Sequence, residues 1–226
     1  MKSPSLTGWP TIRRCKMDTL LRRRFMISAG RVTPPTPSRL PDGYTEVEYI
    51  QFNAAQLVDT LLVPTNNWRI VADWSRGSSS AMYLYGAMSS GNTLSCTAYL
   101  QTGGTGNWRW KNRYAAINPS VSRHTSTQDN TGVTLDGVHT NYNGSVSGFT
   151  APVSLTIGTS HAAGGTYNSP TFIGNIYSFQ IYVSDVLKMD LVPCTNPQSV
   201  PGFYDIVGES FYSSLSGTPL IAGPAI

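Results

Sequence analysis

Charge is what this sequence has least of. Of its 226 residues 12% are charged, and only three of those are glutamate; the charged share is about half the roughly 25% of an ordinary soluble domain. That shortage argues against long helices, which want more Ala, Glu, Lys and Leu, and leaves Ser, Thr, Asn, Gln and Gly to make the polar surface. Cysteine is nearly missing as well. Cys15, Cys96 and Cys194 are far apart, odd in number and without metal spacing, so no metal module is encoded. Cys96 and Cys194 lie in or beside strand-like runs and are expected to be buried free thiols, as suits a chain that folds in a cytoplasm; their spacing leaves a disulfide open. Long apolar runs are missing too. None approaches the ~20 residues of a membrane span. "RRRFMISAG" has a twin-arginine look, but few apolar residues follow before Arg31 and "PPTP". A secretory segment needs a longer apolar core, so export by such a signal is not expected.

What is there is glycine, proline and tyrosine, 21, 15 and 12 of them, the composition of a chain of short strands and many turns. The net charge of +4 hides a division. Residues 1–40 hold nine Lys or Arg against one acid, Asp18, a balance of +8, and the rest hold seven against eleven, a balance of −4. A cationic arm on a weakly acidic body suits docking to an acidic partner or to nucleic acid, and equally a solvated tail. Within the arm, residues 17–29 ("MDTLLRRRFMISA") predict a short helix capped by Asp18, with Leu21 and Phe25 on one face. At about three turns it needs a surface to pack on. "RVTPPTPSRLP" then reads as a stiff extended linker. The domains are therefore expected as an arm and linker over 1–39 and a body over 40–226.

From Tyr44 the apolar pattern has period two. Strands are expected at Tyr44–Phe52, Gln56–Leu62, Trp68–Ser75, Ala81–Met88, Thr93–Gln101 and Asn107–Ile117, then at Val121–Ser126, Thr131–Leu135, Val153–Gly158, Phe172–Val183 and Leu187–Val192. "GFYDIV", "ESFY" and "PLIAG" follow, and turn signals such as "PDG", "SSGN", "TGGTGN" and "LDG" separate many of these runs. So many short strands with no helix between them predict two packed antiparallel sheets.

"LPDGYTEVEYIQFNAAQLVDTLLVPT" resembles the opening of concanavalin A-like (laminin-G-like) jelly-roll domains in phage and prophage structural proteins, with Val58-Asp59-Thr60-Leu61 where Ile-Asp-Thr-Gly is usual. "VTLDG", "VSLTIGTS", "FIGNIYSFQIY" and "LVPCTNPQSVPGFYDIVGESFY" are similar to the closing half of such domains. The resemblance covers roughly 40–226. It implies an all-β, two-sheet jelly-roll sandwich without a specified ligand. "MDTLLRRRFMISAG" is similar to the start of virion proteins of crAss-like Bacteroides phages, which allows a translation start at Met17. The resemblance implies a virion protein assembled in the bacterial host cytoplasm. Its arm would dock on capsid, portal or tail proteins through Arg13, Arg14, Leu21, Arg22, Arg23, Arg24 and Phe25. Homo-oligomerisation is expected by analogy with fibres, and nucleic acid is the less favoured partner of the arm. Tyr177, Phe179 and Ile181 are expected on one strand face, with Ile176, Ser178, Gln180 and Tyr182 on the other. Phe203, Tyr204, Phe211 and Tyr212 are expected to close the sandwich edge.

Jelly rolls include glycoside hydrolases, whose retaining members need two carboxyls about 5–5.5 Å apart. Glu46 and Glu48, at i, i+2 on one expected strand, are the only pair worth naming, and no third acid joins them on that strand; catalysis is not expected. None of His124, His139 and His161 has a cysteine or acid at ligand spacing, and no Ser-His-Asp grouping follows from the sequence. No metal or cofactor is expected. "DGVHTNYNG" holds Asp136, Asn141 and Asn143, oxygen ligands that suit Ca²⁺, but reads more simply as a hairpin turn. The richest local pattern is "GNWRWKNRY". On one strand, Trp108, Trp110, Asn112 and Tyr114 would share a face and Arg109, Lys111 and Arg113 the other. Aromatics outward would stack on sugar rings or bases. Aromatics inward, the favoured arrangement, would leave a basic stripe for an acidic glycan or a neighbouring subunit. The candidate glycan-binding residues are thus Trp108, Arg109, Trp110, Lys111, Arg113, Tyr114, Asn141, Tyr142 and Asn143.

Overall fold

The computed structural model describes residues 39–91, 93–101 and 106–226; the chain divides into two units, residues 1–37 and 38–226. The expected arm helix lies outside the described residues. The described residues contain strands and no helix. The strands are β1 Thr45–Glu46, β2 Ile50–Asn53, β3 Val58–Asp59, β4 Trp68–Arg76, β5 Met82–Met88, β6 Ser95–Leu100, β7 Gly106–Lys111, β8 Arg113–Ile117, β9 Arg123–Gln128 and β10 Gly132–Leu135. They continue as β11 Val138–Asn141, β12 Thr156–Ile157, β13 Ser160–Ala162, β14 Thr166–Asn168, β15 Ile173–Val183, β16 Val186–Thr195, β17 Pro201–Asp205, β18 Ser210–Tyr212 and β19 Ile221–Ala222.

They form two sheets. The first runs β11-β10-β9-β4-β15-β16-β17-β18, with β1 beside β16, β2 beside β15 and β19 beside β2; the second runs β14-β13-β5-β6-β7-β8, with β12 beside β5 and β3 beside β12. All pairings are antiparallel except β13 with β5. The chain passes back and forth between the sheets, giving a jelly-roll sandwich. Alternation drives the packing: in β4 every second residue from Trp68 to Arg76 is buried. Rings from both sheets meet between them, Tyr85 edge-on to Phe179 at 5.5 Å and Trp74 tilted on Trp108 at 6.3 Å. Such aromatic burial dominates the stability of a sandwich of this kind. A smaller apolar cluster of Leu40, Val192, Cys194 and Tyr204 anchors the start of the body, which is the physical reason the sequence changes character at Leu40.

Three expected strands differ in a way that matters below. Tyr44–Phe52 is broken, because Val47 and Ile50 both enter the core and their odd spacing requires a bend at Glu48–Tyr49. Asn107–Ile117 is two strands, β7 and β8, turned at Lys111-Asn112, with Lys111 at φ 56°. In β15 the register against β4 shifts between Ile176 and Ser178, a bulge that takes Tyr177 off the face of Phe179 and Ile181 and puts Ile176 on it. Gly174 sits beside that bulge at φ 156°, where a Cβ would lie 2.1 Å from the Ser75 carbonyl oxygen. As expected, Phe203 and Tyr204 are buried and Phe211 and Tyr212 half-buried at the edge.

The inward residues of β9 are all polar: His124, Ser126 and Gln128. Ser126 Oγ accepts from Trp74 Nε1 at 3.0 Å. Gln128 Oε1 accepts from Tyr85 Oη at 2.7 Å, and its Nε2 donates to the Arg109 carbonyl at 2.9 Å and to Tyr142 Oη at 3.1 Å. Gln128 thereby ties the first sheet to the second. Gln128→Ala orphans those buried partners, each costing roughly 1–3 kcal/mol, and is expected to lower unfolding free energy by about 3 kcal/mol or more in a urea titration. Cys96 and Cys194 are buried and free. Burial pushes the Cys96 thiol far up and raises Cys194 to about 12. Neither is expected to react with a thiol reagent such as DTNB until the protein is unfolded.

Candidate functional site

The outer face of the second sheet collects aromatic and cationic side chains by strand register alone. Tyr83 of β5 lies opposite Tyr99 of β6, and Tyr99 opposite Asn107 of β7. Arg109 follows Asn107 by two residues and lies opposite Tyr114 of β8. The Tyr83 and Tyr99 rings are 4.7 Å apart, and Arg109 acts electrostatically on Tyr83. Desolvation, the largest influence on Tyr83, raises its pKa. Tyr83, Tyr99, Asn107 and Arg109 are half-buried, and Tyr114 is 43% exposed. Tyrosine faces, a guanidinium and a carboxamide on one sheet offer flat apolar area with hydrogen-bond donors among it. That combination suits a sugar ring, and the guanidinium favours an acidic one.

Only part of the expected site is here. Trp108 and Trp110 are fully buried, so the inward arrangement holds and neither indole stacks on a ligand. The expected basic stripe does not survive the turn. Arg109 and Tyr114 come together, whereas Arg113 pairs with Trp110, turns to the inner side of the ladder and packs against Gly144. Lys111 Nζ donates to the Ser147 carbonyl at 2.6 Å, and Asn143 Oδ1 accepts from the Tyr114 amide at 3.0 Å. Those two side chains hold the 141–148 loop against the edge of β8. Tyr142 is buried, with its hydroxyl donating to the Asp129 carbonyl at 2.9 Å; it is a core residue and not a glycan contact. Asn141 is exposed at the end of β11, with His139 Nε2 3.1 Å from its Oδ1. The residues missed in the sequence are Tyr83, Tyr99 and Asn107. Their alternation against buried Met82, Leu100 and Trp108 carried the signal.

The other expectations resolve by geometry. Glu46 ends β1 half-buried, and Glu48 stands exposed just beyond it, on the other side of buried Val47. The Ca²⁺ reading of "DGVHTNYNG" gives way to a hairpin: Asp136 and Gly137 take φ 49° and 83° between β10 and β11, Asn143 is engaged with Tyr114, and no group of metal-ligating acids, histidines and cysteines occurs among the described residues. No helix of the described residues is long and apolar enough to cross a membrane. Arg13, Arg14, Leu21, Arg22, Arg23, Arg24 and Phe25 lie outside the described residues.

The histidines are less isolated than the sequence suggests. Ser154 Oγ donates to Asp59 Oδ2 at 2.9 Å and stands 3.4 Å from His161 Nδ1. At the other end of the sandwich, His124 Nδ1 lies 2.6 Å from Asp136 Oδ2 and its Nε2 lies 3.0 Å from Ser120 Oγ. A Ser-His-Asp grouping therefore exists, contrary to the sequence reading. The hairpin register of β9 with β10 creates it by setting Asp136 beside Thr125, whose amide donates to Asp136 Oδ1 at 2.9 Å. The hydrogen bond with His124 is the main cause that holds the Asp136 carboxyl below its ordinary pKa, and the Thr125 amide adds to it. A depressed folded-state pKa contributes stability above the unfolded value, near 3.9, and loses it as pH falls through the folded one. Asp136→Asn is therefore expected to lower the melting temperature at neutral pH, and the difference from wild type is expected to vanish at pH values well below about 4, as read by thermal melts across pH.

No family model and no curated protein matches the chain. Among solved structures it is similar to the native heptameric SAP-like pentraxin from Limulus polyphemus, at 12% identity over 80% of this chain and 94% of that one, with a TM-score of 0.45. The fold is read from the sheets themselves and not from this likeness.

Proposed function

We propose that the chain is a phage virion structural protein, of capsid-decoration, head-fibre or tail-fibre type, whose basic arm docks on the particle and whose jelly roll is displayed outward to bind host or mucosal glycan. The observation that carries the binding half is the outer face of Tyr83, Tyr99, Asn107, Arg109 and Tyr114, where the strand register gathers aromatic faces around a cation. The docking half is supported by the charge division, +8 in residues 1–40 against −4 beyond, and by the motifs that resemble phage structural jelly rolls. The arm is the natural contact for capsid, portal or tail proteins. Copies of the chain on one particle would turn weak single-site glycan binding into strong attachment through effective concentration. The glycoside-hydrolase alternative needs paired carboxylates; its candidates, Glu46 and Glu48, lie in and just after β1 of the first sheet, whereas the tyrosine face is on the second.

Two measurements test this. On a glycan array, the full chain is expected to bind acidic glycans, and Tyr99→Ala and Arg109→Ala are each expected to weaken the best ligand at least about tenfold, roughly 1.4 kcal/mol, with melting temperature kept. Binding that survives both substitutions removes the face as the site. Mass spectrometry of purified particles is expected to find the chain, and its absence there ends the virion reading. Steep salt dependence of DNA binding, lost with the arm, would move the arm's partner to nucleic acid.

A further inference from the structure

We propose that Ser120, His124 and Asp136 form a second, catalytic site that cleaves acyl esters. Ser120 is exposed on the loop between β8 and β9, while His124 is buried beneath it, tilted against the Trp74 ring at 5.2 Å. Asp136 holds the imidazole by its Nδ1, 2.6 Å away, which leaves Nε2 to accept the hydroxyl proton of Ser120 at 3.0 Å. The carboxylate is itself fixed by the Thr125 amide at 2.9 Å. This is the arrangement of nucleophile, base and orienting acid that activates a serine. Around Ser120 Oγ are the Ser122 amide, which donates to it at 3.3 Å, and the Ser122 hydroxyl, which touches it.

A second feature points the same way. Arg76 is 6% exposed and has no carboxylate partner among the described residues. Its Nη1 donates to the Pro119 carbonyl at 2.9 Å and its Nη2 to the Ser80 carbonyl at 3.0 Å, while its Nε is buried without a partner. An uncompensated buried cation is costly to keep. Here it holds the carbonyl of Pro119, the residue before Ser120, and so fixes the start of the loop that carries the nucleophile.

The step balances without a cofactor. Ser120 Oγ attacks the ester carbonyl as its proton passes to His124 Nε2. The tetrahedral adduct collapses to an acyl-serine, the C–O bond to the alcohol breaks, and His124 returns the proton to the leaving oxygen. Water then repeats the sequence, releasing the acid and restoring the serine. The Ser120 carbonyl, 3.3 Å from Nε2, accepts from the ring while it is protonated. Because Ser120 stands on an open loop, the fitting substrate is a small acyl group projecting from a large carrier, such as an ester on a polysaccharide. The site shares no residue with the tyrosine face, so loss of glycan binding and loss of this reactivity are separate results.

The test is reaction of the full-length protein with a fluorophosphonate probe, with the adduct mapped by mass spectrometry, and with p-nitrophenyl acetate. A single adduct on Ser120 is expected, with release of p-nitrophenol, and both are expected to vanish in Ser120→Ala while circular dichroism shows that variant still folded. Asp136→Asn is expected to slow labelling roughly a hundredfold or more, and Asp136→Glu to restore part of the rate. A folded wild-type protein that gains no adduct on Ser120 overturns the proposal whatever the variants do. Equal labelling rates in wild type and Asp136→Asn overturn the positioning role of the acid.

Discussion

The sandwich depends on a strand whose inner face is polar. β9 sends His124, Ser126 and Gln128 inward, where an apolar row would ordinarily pack. Each must find partners, because an unpaired polar group in a low-dielectric interior is expensive. The partners are not interchangeable. Gln128 reaches Tyr85, the Arg109 carbonyl and Tyr142, and these belong to β5, β7 and the loop after β11. Ser126 takes the indole proton of Trp74, and His124 takes Asp136 and Ser120. Apolar packing tolerates sliding; this row of hydrogen bonds does not. Through Gln128 it fixes where β5 and β7 of the second sheet lie against β9 of the first.

That constraint meets a second one at the Lys111-Asn112 turn. β7 buries Trp108 and Trp110, so Arg109 faces solvent. Had the strand run on without turning, Tyr114 would have followed the tryptophans inward. The two-residue turn instead restarts the count in β8 and sets Tyr114 directly opposite Arg109. A positive φ at Lys111 is uncommon for a side chain of that size, and its ammonium is held by the Ser147 carbonyl. The clustering of tyrosine with arginine is thus a consequence of turn geometry, not of sequence neighbours on one face.

These cases show which features are legible in a sequence. β4 was readable almost to the residue because Trp68, Ile70, Ala72 and Trp74 alternate along it, and the ends of β5 were readable because its apolar run lies between serine-rich turns, though not the bulge that buries Tyr85 beside Leu84. β11, β13 and β14 were not, being short and largely polar, so that only pairing defines them. The burial of Cys96, the inward tryptophans and the aromatic edge followed from apolar character. The broken first strand did not, because it shifts the period without leaving a proline or glycine at the spot, and the bulge at Tyr177 was marked only by Gly174 three residues before it. Tyr83 and Tyr99 were within reach, since the same alternation that buries Met82 and Leu100 sends them outward, but nothing local says that a tyrosine turns to the outer face instead of the core.

The Ser120-His124-Asp136 grouping lies beyond local reading for a different reason. Ser120 and His124 are close in sequence, but Asp136 arrives through hairpin register, and one residue of slip would carry it to the opposite face. Two features fix that register. Asp136 and Gly137 both take positive φ, as a two-residue turn that matches strand twist requires. The inward row of β9 then selects the same pairing, since a slipped ladder would turn His124, Ser126 and Gln128 to solvent and leave Trp74, Tyr85 and Tyr142 without their partners. The row that holds the two sheets together at Gln128 therefore also assembles the histidine cluster at its other end. The tyrosine face and the histidine cluster thus share a structural cause in β9 without sharing a residue.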